Sequence, residues 1–215
     1  MTDRLVDEAP RTVGVVLFEG FELLDVFGPL EMLGQASRDF SLVLLGPSAG
    51  AVTSAQGPRS VVDHVYAEAP PCDILFVPGG RGTRALVHDA GFVAWLATTG
   101  AHAEYLLSVC TGSALLAAAG LLDGYRATSN KLSFEWVTQQ GPGVEWVSEA
   151  RWVEDRNRWT SSGVAAGIDM ALAFIAHMCG DERATRIADG TEYERHPDAS
   201  WDPFAAKAGL VPRGE

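Results

Sequence analysis

The chain has 215 residues, enough for one α/β domain with an ordinary core and short for two. Its 16 Lys+Arg against 28 Asp+Glu leave a formal net charge of −12, so the surface repels phosphate backbones and anionic lipid, and neither nucleic acid nor membrane is expected as a partner. Hydrophobic residues make up 47% of the chain, yet no apolar run approaches the ~18 residues that span a bilayer.

Cys72, Cys110 and Cys179 are odd in number, widely spaced and free of any CxxC, which suits neither a disulfide framework nor a zinc site. The N-terminus MTDRLVDEAP lacks the apolar core of a signal peptide. A cytoplasmic protein with free thiols is therefore expected.

Residues 1–11 are charged and aperiodic and read as a disordered lead-in to a single domain over 12–209. Thr12–Phe18, TVGVVLF, is β-branched and apolar and predicts a buried strand, closed by Glu19-Gly20. Phe21–Ala36 carries apolar residues at helical spacing with Gly28-Pro29 in its midst. Proline suits a first helical position, so the helix is expected to begin near Pro29. That places Asp25 on an irregular turn, where an N-cap or solvent-facing role competes with a functional one.

Phe40–Gly46 predicts a second buried strand, and Ala51–Val65 a short hairpin or pair of edge strands around Gly57-Pro58. Asp73–Pro78 predicts a third core strand running into Gly79-Gly80-Arg81-Gly82. This loop has neither GxGxxG nor GxxxxGK spacing, so its glycines are better used for close backbone approach, with an N–H aimed into a cleft. Thr83–Thr99 predicts one or two helical segments stopped by Gly100.

Ala103–Val109 is apolar at nearly every position, as in a parallel strand buried on both faces, and Ala114–Leu122 favours helix. Cys110 falls at the sharp junction between them, in SVCTGS. A side chain there lies where open α/β sheets place ligands and where a helix dipole favours thiolate over thiol. The alternative is a small buried hydrophobe.

Arg126–Ser129 reads as a short strand, Lys131–Gln140 as a helix, and Val144–Val153 and Trp159–Ser162 as strands around Glu154–Arg158. Ala165–Met178 predicts a buried helix, Glu182–Ala188 a more polar one, and Tyr193–Phe204 a surface-packed tail. Residues 210–215, LVPRGE, resemble most of a thrombin-cleavage linker and are set aside as a tail. Strands that alternate with helices and are continuously apolar indicate a doubly wound, mostly parallel sheet with helices on both faces.

In such a sheet Asp25, the Gly79-Gly80 loop and Cys110 share one edge. They then supply an acid/base, backbone N–H groups of Gly80 and Thr111 for developing negative charge, and a nucleophile. His64, His88, His102, His177 and His196 are scattered, without HExxH or a tight pair, so no metal site is expected.

LLDVFGP, DILFVPGG, SVCTGS, AGLLDGYRAT and SSGVAAGIDMALAFIA, spaced in order from about Thr12 to Met178, resemble the ThiJ/PfpI superfamily, relatives of the class I glutamine amidotransferases. The resemblance implies a flavodoxin-like α/β fold with a cysteine nucleophile elbow at Cys110 and a homodimer. Asp25 falls where members keep a Glu or Asp that hydrogen-bonds the thiol. With Thr111 after the cysteine, the set is similar to the isocyanide hydratase branch. PfpI-type proteases carry His where this chain has Thr111, so a Cys-His protease is not expected. Many relatives have Thr-His-Trp where this chain has Ser129-Asn130-Lys131, and no titrating role transfers to Asn130.

The resemblance therefore implies hydration of an isocyanide to an N-formamide without a cofactor, through a Cys110 thioimidate with Asp25 as acid and base. Thr111 would orient Cys110 or bind the small-molecule substrate, and Ser162 and Gly163 would line the pocket. Trp136, Trp152 and Trp159 are candidates for an apolar wall. Two other functions stay open: a glyoxalase or deglycase acting on aldehydes, and a non-enzymatic redox or stress sensor in which Cys110 is oxidised. A transcriptional sensor domain shares this fold, but no helix-turn-helix module is visible and the charge is acidic.

Overall fold

The computed structural model describes residues 9–212. The lead-in of residues 1–11 therefore lies mostly outside the described part, and so does the end of the 210–215 tail. The first strand, β1 (Arg11–Val16), begins inside the expected lead-in and is followed by α1 (Leu23–Gln35) and β2 (Phe40–Gly46). β3 (Ala51–Thr53) and β4 (Arg59–Val61) form the expected antiparallel hairpin, and β5 (His64–Val65) joins the edge of the main sheet beside β2. Next come β6 (Ile74–Val77), α2 (Thr83–Leu86), α3 (Ala90–His102), β7 (Tyr105–Val109) and α4 (Gly112–Ala118). β8 (Arg126–Ala127), α5 (Phe134–Thr138) and β9 (Glu145–Trp146) precede the hairpin of β10 (Trp152–Asp155) and β11 (Arg158–Ser161). Helices α6 (Ala166–Cys179), α7 (Asp181–Gly190) and α8 (Pro203–Lys207) complete the chain.

Seven strands form the central sheet in the order β10-β11-β7-β6-β1-β2-β5, parallel throughout except where β10 turns back on β11. Helices flank it: α1 packs on α6 and α7, while α4 lies against β6 and β7 beside α3. After β1 the chain builds outward through β2 and β5, then returns to the other side of β1 with β6. The neighbours β1 and β6 thus form a topological switch point, where the strand ends splay and leave a crevice.

The expected mostly parallel, doubly wound sheet is present, because its central strands bury both faces. All four residues of β6 are buried, as are four of the five in β7. Strand β8 is the short strand expected within Arg126–Ser129. It leaves the main sheet and pairs with β9 in a separate two-stranded piece.

Two helix boundaries differ for packing reasons. α1 starts at Leu23, six residues before Pro29, and carries the proline internally. A Cβ at Gly28 would stand 2.8 Å from Ile168 Cγ1, and one at Gly167 would stand 3.1 Å from Pro29 Cγ. Gly28-Pro29 is thus the close contact between α1 and α6, and that packing holds the helix through the missing amide of Pro29. Gly100 likewise does not stop its helix: it sits inside α3 because a Cβ there would be 2.5 Å from Leu121 Cδ1.

Candidate active site

Strand register brings the site together. β7 pairs Ser108 with Val77 of β6, and β11 pairs Ser161 with Val109, so Pro78-Gly79, Cys110 and Ser162 leave the sheet at one level. Cys110 adopts φ 57, a left-handed conformation that a non-glycine residue holds at a cost of about 1–3 kcal/mol. The surroundings hold it there. Its N–H reaches the carbonyls of Ser161 and Ser162, at 3.2 and 3.3 Å, and its carbonyl accepts the hydroxyls of Ser129 at 2.8 Å and Ser113 at 3.1 Å. This is the sharp strand-to-helix junction expected at SVCTGS, with the cysteine as its strained residue.

Asp25 lies in the first turn of α1, not on an irregular turn, and is fully buried. Its Oδ2 accepts the Gly79 N–H at 2.9 Å, its side chain interacts with the Cys110 thiol, and its Oδ1 has no hydrogen-bond partner among the described residues. Neither a helix cap nor a solvent-facing residue, it is a carboxyl group held beside the thiol.

The glycine loop is used differently from the expected anion hole. Gly79 N–H is engaged by Asp25, and Gly80 N–H donates to Thr111 Oγ1 at 3.1 Å. Thr83 Oγ1 donates to the Gly80 carbonyl at 2.8 Å and lies 3.1 Å from Thr111 Oγ1. Both loop amides therefore fix catalytic candidates and are not free for developing charge. Close approach explains the glycines themselves. A Cβ at Gly79 would stand 2.6 Å from Thr111 N and 2.8 Å from Asp25 Oδ2, and Gly80 adopts φ 127 against the Gly20 carbonyl.

Thr111 and Asn130 act on the sulfur, Thr111 through both N–H and hydroxyl and Asn130 through its side-chain amide. Asn130 Oδ1 accepts the Ser133 N–H at 3.1 Å, which turns its Nδ2 toward the site. Gly163 has the role of making room, since a Cβ there would collide with Asn130 Nδ2. Ser162 is buried and shares a 380 Å³ cavity with Asn130, Gly163, Trp201 and Phe204. Sequence reasoning missed Asn130, because it asked for a titrating group where the site uses an amide donor. The Asn-x-x-Ser spacing, which predicts a capping turn, was its only local signal.

Burial opposes charge on both reactive groups. It pushes the Asp25 carboxyl up to about 8, against the pull of the Gly79 amide, and Glu22 adds to the rise. It also pushes the Cys110 thiol up, and a negative Asp25 pushes it further. This reverses the thiolate-favouring effect expected of the α4 N-terminus. The hydrogen-bond donors Thr111 and Asn130 act in that direction, but desolvation outweighs them.

Of the tryptophans, Trp159 and Trp152 are core residues, Trp159 against Phe174 and His177, while Trp136 lies on α5 under the Arg84 guanidinium. Among the described residues no three His, Cys, Asp or Glu side chains are grouped to hold a metal, and no helix is long and apolar enough to cross a membrane.

The sequence profile of the DJ-1/PfpI family matches residues 11–177. The isonitrile hydratase of Pseudomonas putida is 32% identical over 200 residues, spanning 93% of this chain and 86% of that protein. A solved ThiJ/PfpI family protein from Pseudomonas syringae superposes with a TM-score of 0.81 at 32% identity, over 98% of this chain and 92% of that one. The HTH-type transcriptional regulator GbdR of Pseudomonas aeruginosa is 33% identical over 194 residues, but these make up 86% of this chain and only 52% of the regulator. With the family profile matching most of its length and the fold agreeing, the chain belongs to the DJ-1/PfpI family.

Proposed function

We propose that the protein hydrates an isocyanide to an N-substituted formamide without a cofactor, with Cys110 as nucleophile and Asp25 as acid and base. The observation that carries this reading is a buried carboxyl group, its ionisation opposed by burial, beside a thiol for which no histidine partner stands among the described residues. The likeness to an isonitrile hydratase over most of both chains supports it.

In the first step the Cys110 sulfur bonds to the terminal carbon of R–N≡C. Asp25 gives its proton to that carbon and then takes the thiol proton, leaving R–N=CH–S–Cys110 and a protonated Asp25. Water then adds to the carbon while Asp25 protonates the nitrogen and accepts a proton from the water. The C–S bond breaks as the hydroxyl proton passes through Asp25 to the sulfur, releasing R–NH–CHO and the thiol. Oδ1, buried without a partner, is the oxygen left to shuttle protons, since Gly79 occupies Oδ2. Thr111 and Asn130 offset the developing negative charge on sulfur. Ser162 and Gly163 line a cavity with Asn130, the residue whose side-chain amide acts on the sulfur.

The reading extends to a cytoplasmic homodimer whose only ligand is a small molecule, with Leu24 and Phe27 exposed on either side of Asp25 on α1. Redox sensing is less well supported, because oxidation favours exposed thiolates and Cys110 is a buried thiol with its ionisation opposed. The test is formamide production from an alkyl or aryl isocyanide, lost in Cys110→Ala and in Asp25→Asn. Full activity of Cys110→Ala, or lactate from methylglyoxal with no isocyanide turnover, overturns it.

A further inference from the structure

The two segments that grip the Cys110 backbone also wall a cavity. Ser129 Oγ donates to the Cys110 carbonyl at 2.8 Å, and the Cys110 N–H reaches the Ser162 carbonyl at 3.3 Å. From these two contacts the chain runs on as residues 130–132 and 162–166, and together they line the 380 Å³ cavity. Its inner end is therefore directly beside the nucleophile, at Asn130 and Ser162. The C-terminal segment supplies the outer wall with Trp201 and Phe204.

That wall is apolar. Among the described residues six large hydrophobic side chains are exposed, and three of them, Leu132, Trp201 and Phe204, gather at this one cavity. The lysine and arginine that also line it are already engaged. Lys131 Nζ lies 3.1 Å from Asp202 Oδ2 and donates to Thr128 Oγ1 at 2.7 Å, while Arg151 Nε donates to Asp169 Oδ2 at 2.8 Å, and both ion pairs are buried. Each pair also holds the wall in place. Asp202 Oδ1 accepts the Phe204 N–H at 3.0 Å at the start of α8, and the Arg151 guanidinium carbon lies 5.1 Å from the centre of the Trp201 ring, which stacks on His196 at 4.5 Å.

We propose that this cavity is the subsite for the nitrogen substituent of the isocyanide, that Trp201 and Phe204 are its specificity-determining residues, and that the substrate carries a bulky, uncharged apolar group there. The terminal carbon of an isocyanide bonds nitrogen alone, so the substituent begins two bonds from the atom that sulfur attacks and needs a space that opens beside Cys110. A ring buried against Trp201 and Phe204 leaves water favourably, whereas a charged group would lose its hydration and meet cations that already have partners. A methyl group would leave most of the space empty. The proposal rests on the reading of Cys110 as nucleophile and takes the isocyanide from the hydratase reading.

Its test needs no turnover. Iodoacetanilide and iodoacetamide deliver the same carbon to sulfur: the S–C bond forms, iodide leaves with its electron pair and the thiol proton goes to solvent. They differ by one phenyl ring on the amide nitrogen. Alkylation at Cys110, located by mass spectrometry, is expected to show an anilide-to-amide rate ratio about tenfold above that of N-acetylcysteine. Trp201→Ala and Phe204→Ala are each expected to lower the ratio about threefold, and Val164→Trp, which fills the cavity, to bring it to the free-thiol value or below. A wild-type ratio within about twofold of the free thiol overturns the subsite whether or not the variants fold. Equal slowing of both reagents in Trp201→Ala and Phe204→Ala overturns their role in specificity, because a loosened site would affect the two alike. Failure to hydrate any isocyanide overturns the hydratase reading instead and leaves this comparison decisive for the subsite.

Discussion

Replacing Asp25 with asparagine removes a buried proton on which the proposed mechanism depends, and it also changes how stability varies with pH. In the unfolded chain this carboxyl loses its proton near 3.8, whereas in the folded protein burial holds it until about 8. Between those limits the native state binds one proton more than the unfolded state, so stability is fully present at low pH and falls as pH rises through the folded value. The slope is about 1.4 kcal/mol per pH unit. The amide introduced by Asp25→Asn keeps an acceptor for the Gly79 N–H and has no proton to lose. Relative to the wild type, the variant should therefore gain about 4 kcal/mol in unfolding free energy between pH 5 and pH 8, and little beyond. Urea titrations of both proteins at about pH 5, 6.5 and 8, with equal m-values as a control, measure this. Parallel stability profiles across that range would refute a neutral Asp25, and with it the proton donor of the proposed mechanism.

Gly79→Ala should abolish formamide production while leaving the sheet folded, because its Cβ would stand within 2.8 Å of Asp25 Oδ2 and Thr111 Oγ1; kcat and far-UV circular dichroism check it together. Asn130→Ala removes one donor to the sulfur and should slow alkylation of Cys110 by iodoacetamide about tenfold at pH 8, with a smaller loss in Asn130→Ser. Asp169→Asn should destabilise the fold by about 3–5 kcal/mol in urea, since it weakens the buried bond from Arg151 Nε at 2.8 Å and leaves that guanidinium's charge unpaired. The same carboxylate accepts the Tyr193 hydroxyl at 3.1 Å and the His196 N–H at 2.9 Å, so limited proteolysis of that variant should begin in the C-terminal tail.

Much of the architecture was legible because apolar runs such as ILFV and YLLSV suit only strands buried on both faces, and glycine-marked ends separate them from helices. The elbow was legible for the same reason: SVCTGS joins such a strand to a helix with no room for a loop. What resisted reading depends on contacts between distant segments. Gly28-Pro29 looks like a helix start until Ile168 is seen filling the space above Gly28. Gly79 and Gly80 look like a free anion cradle until Asp25 and Thr111, 54 and 31 residues away in sequence, take their amides.

The chain by itself determined the sheet, the position of Cys110 at a strand end and the choice of an aspartate over a histidine, since hydrophobic period and turn chemistry are local properties. Only the tertiary structure decided that Asp25 is buried against the Gly79 amide and that Asn130 turns its side-chain amide toward the sulfur. Desolvation and hydrogen bonding depend on what surrounds a group in space, and those neighbours come from strands and helices that the sequence holds far apart.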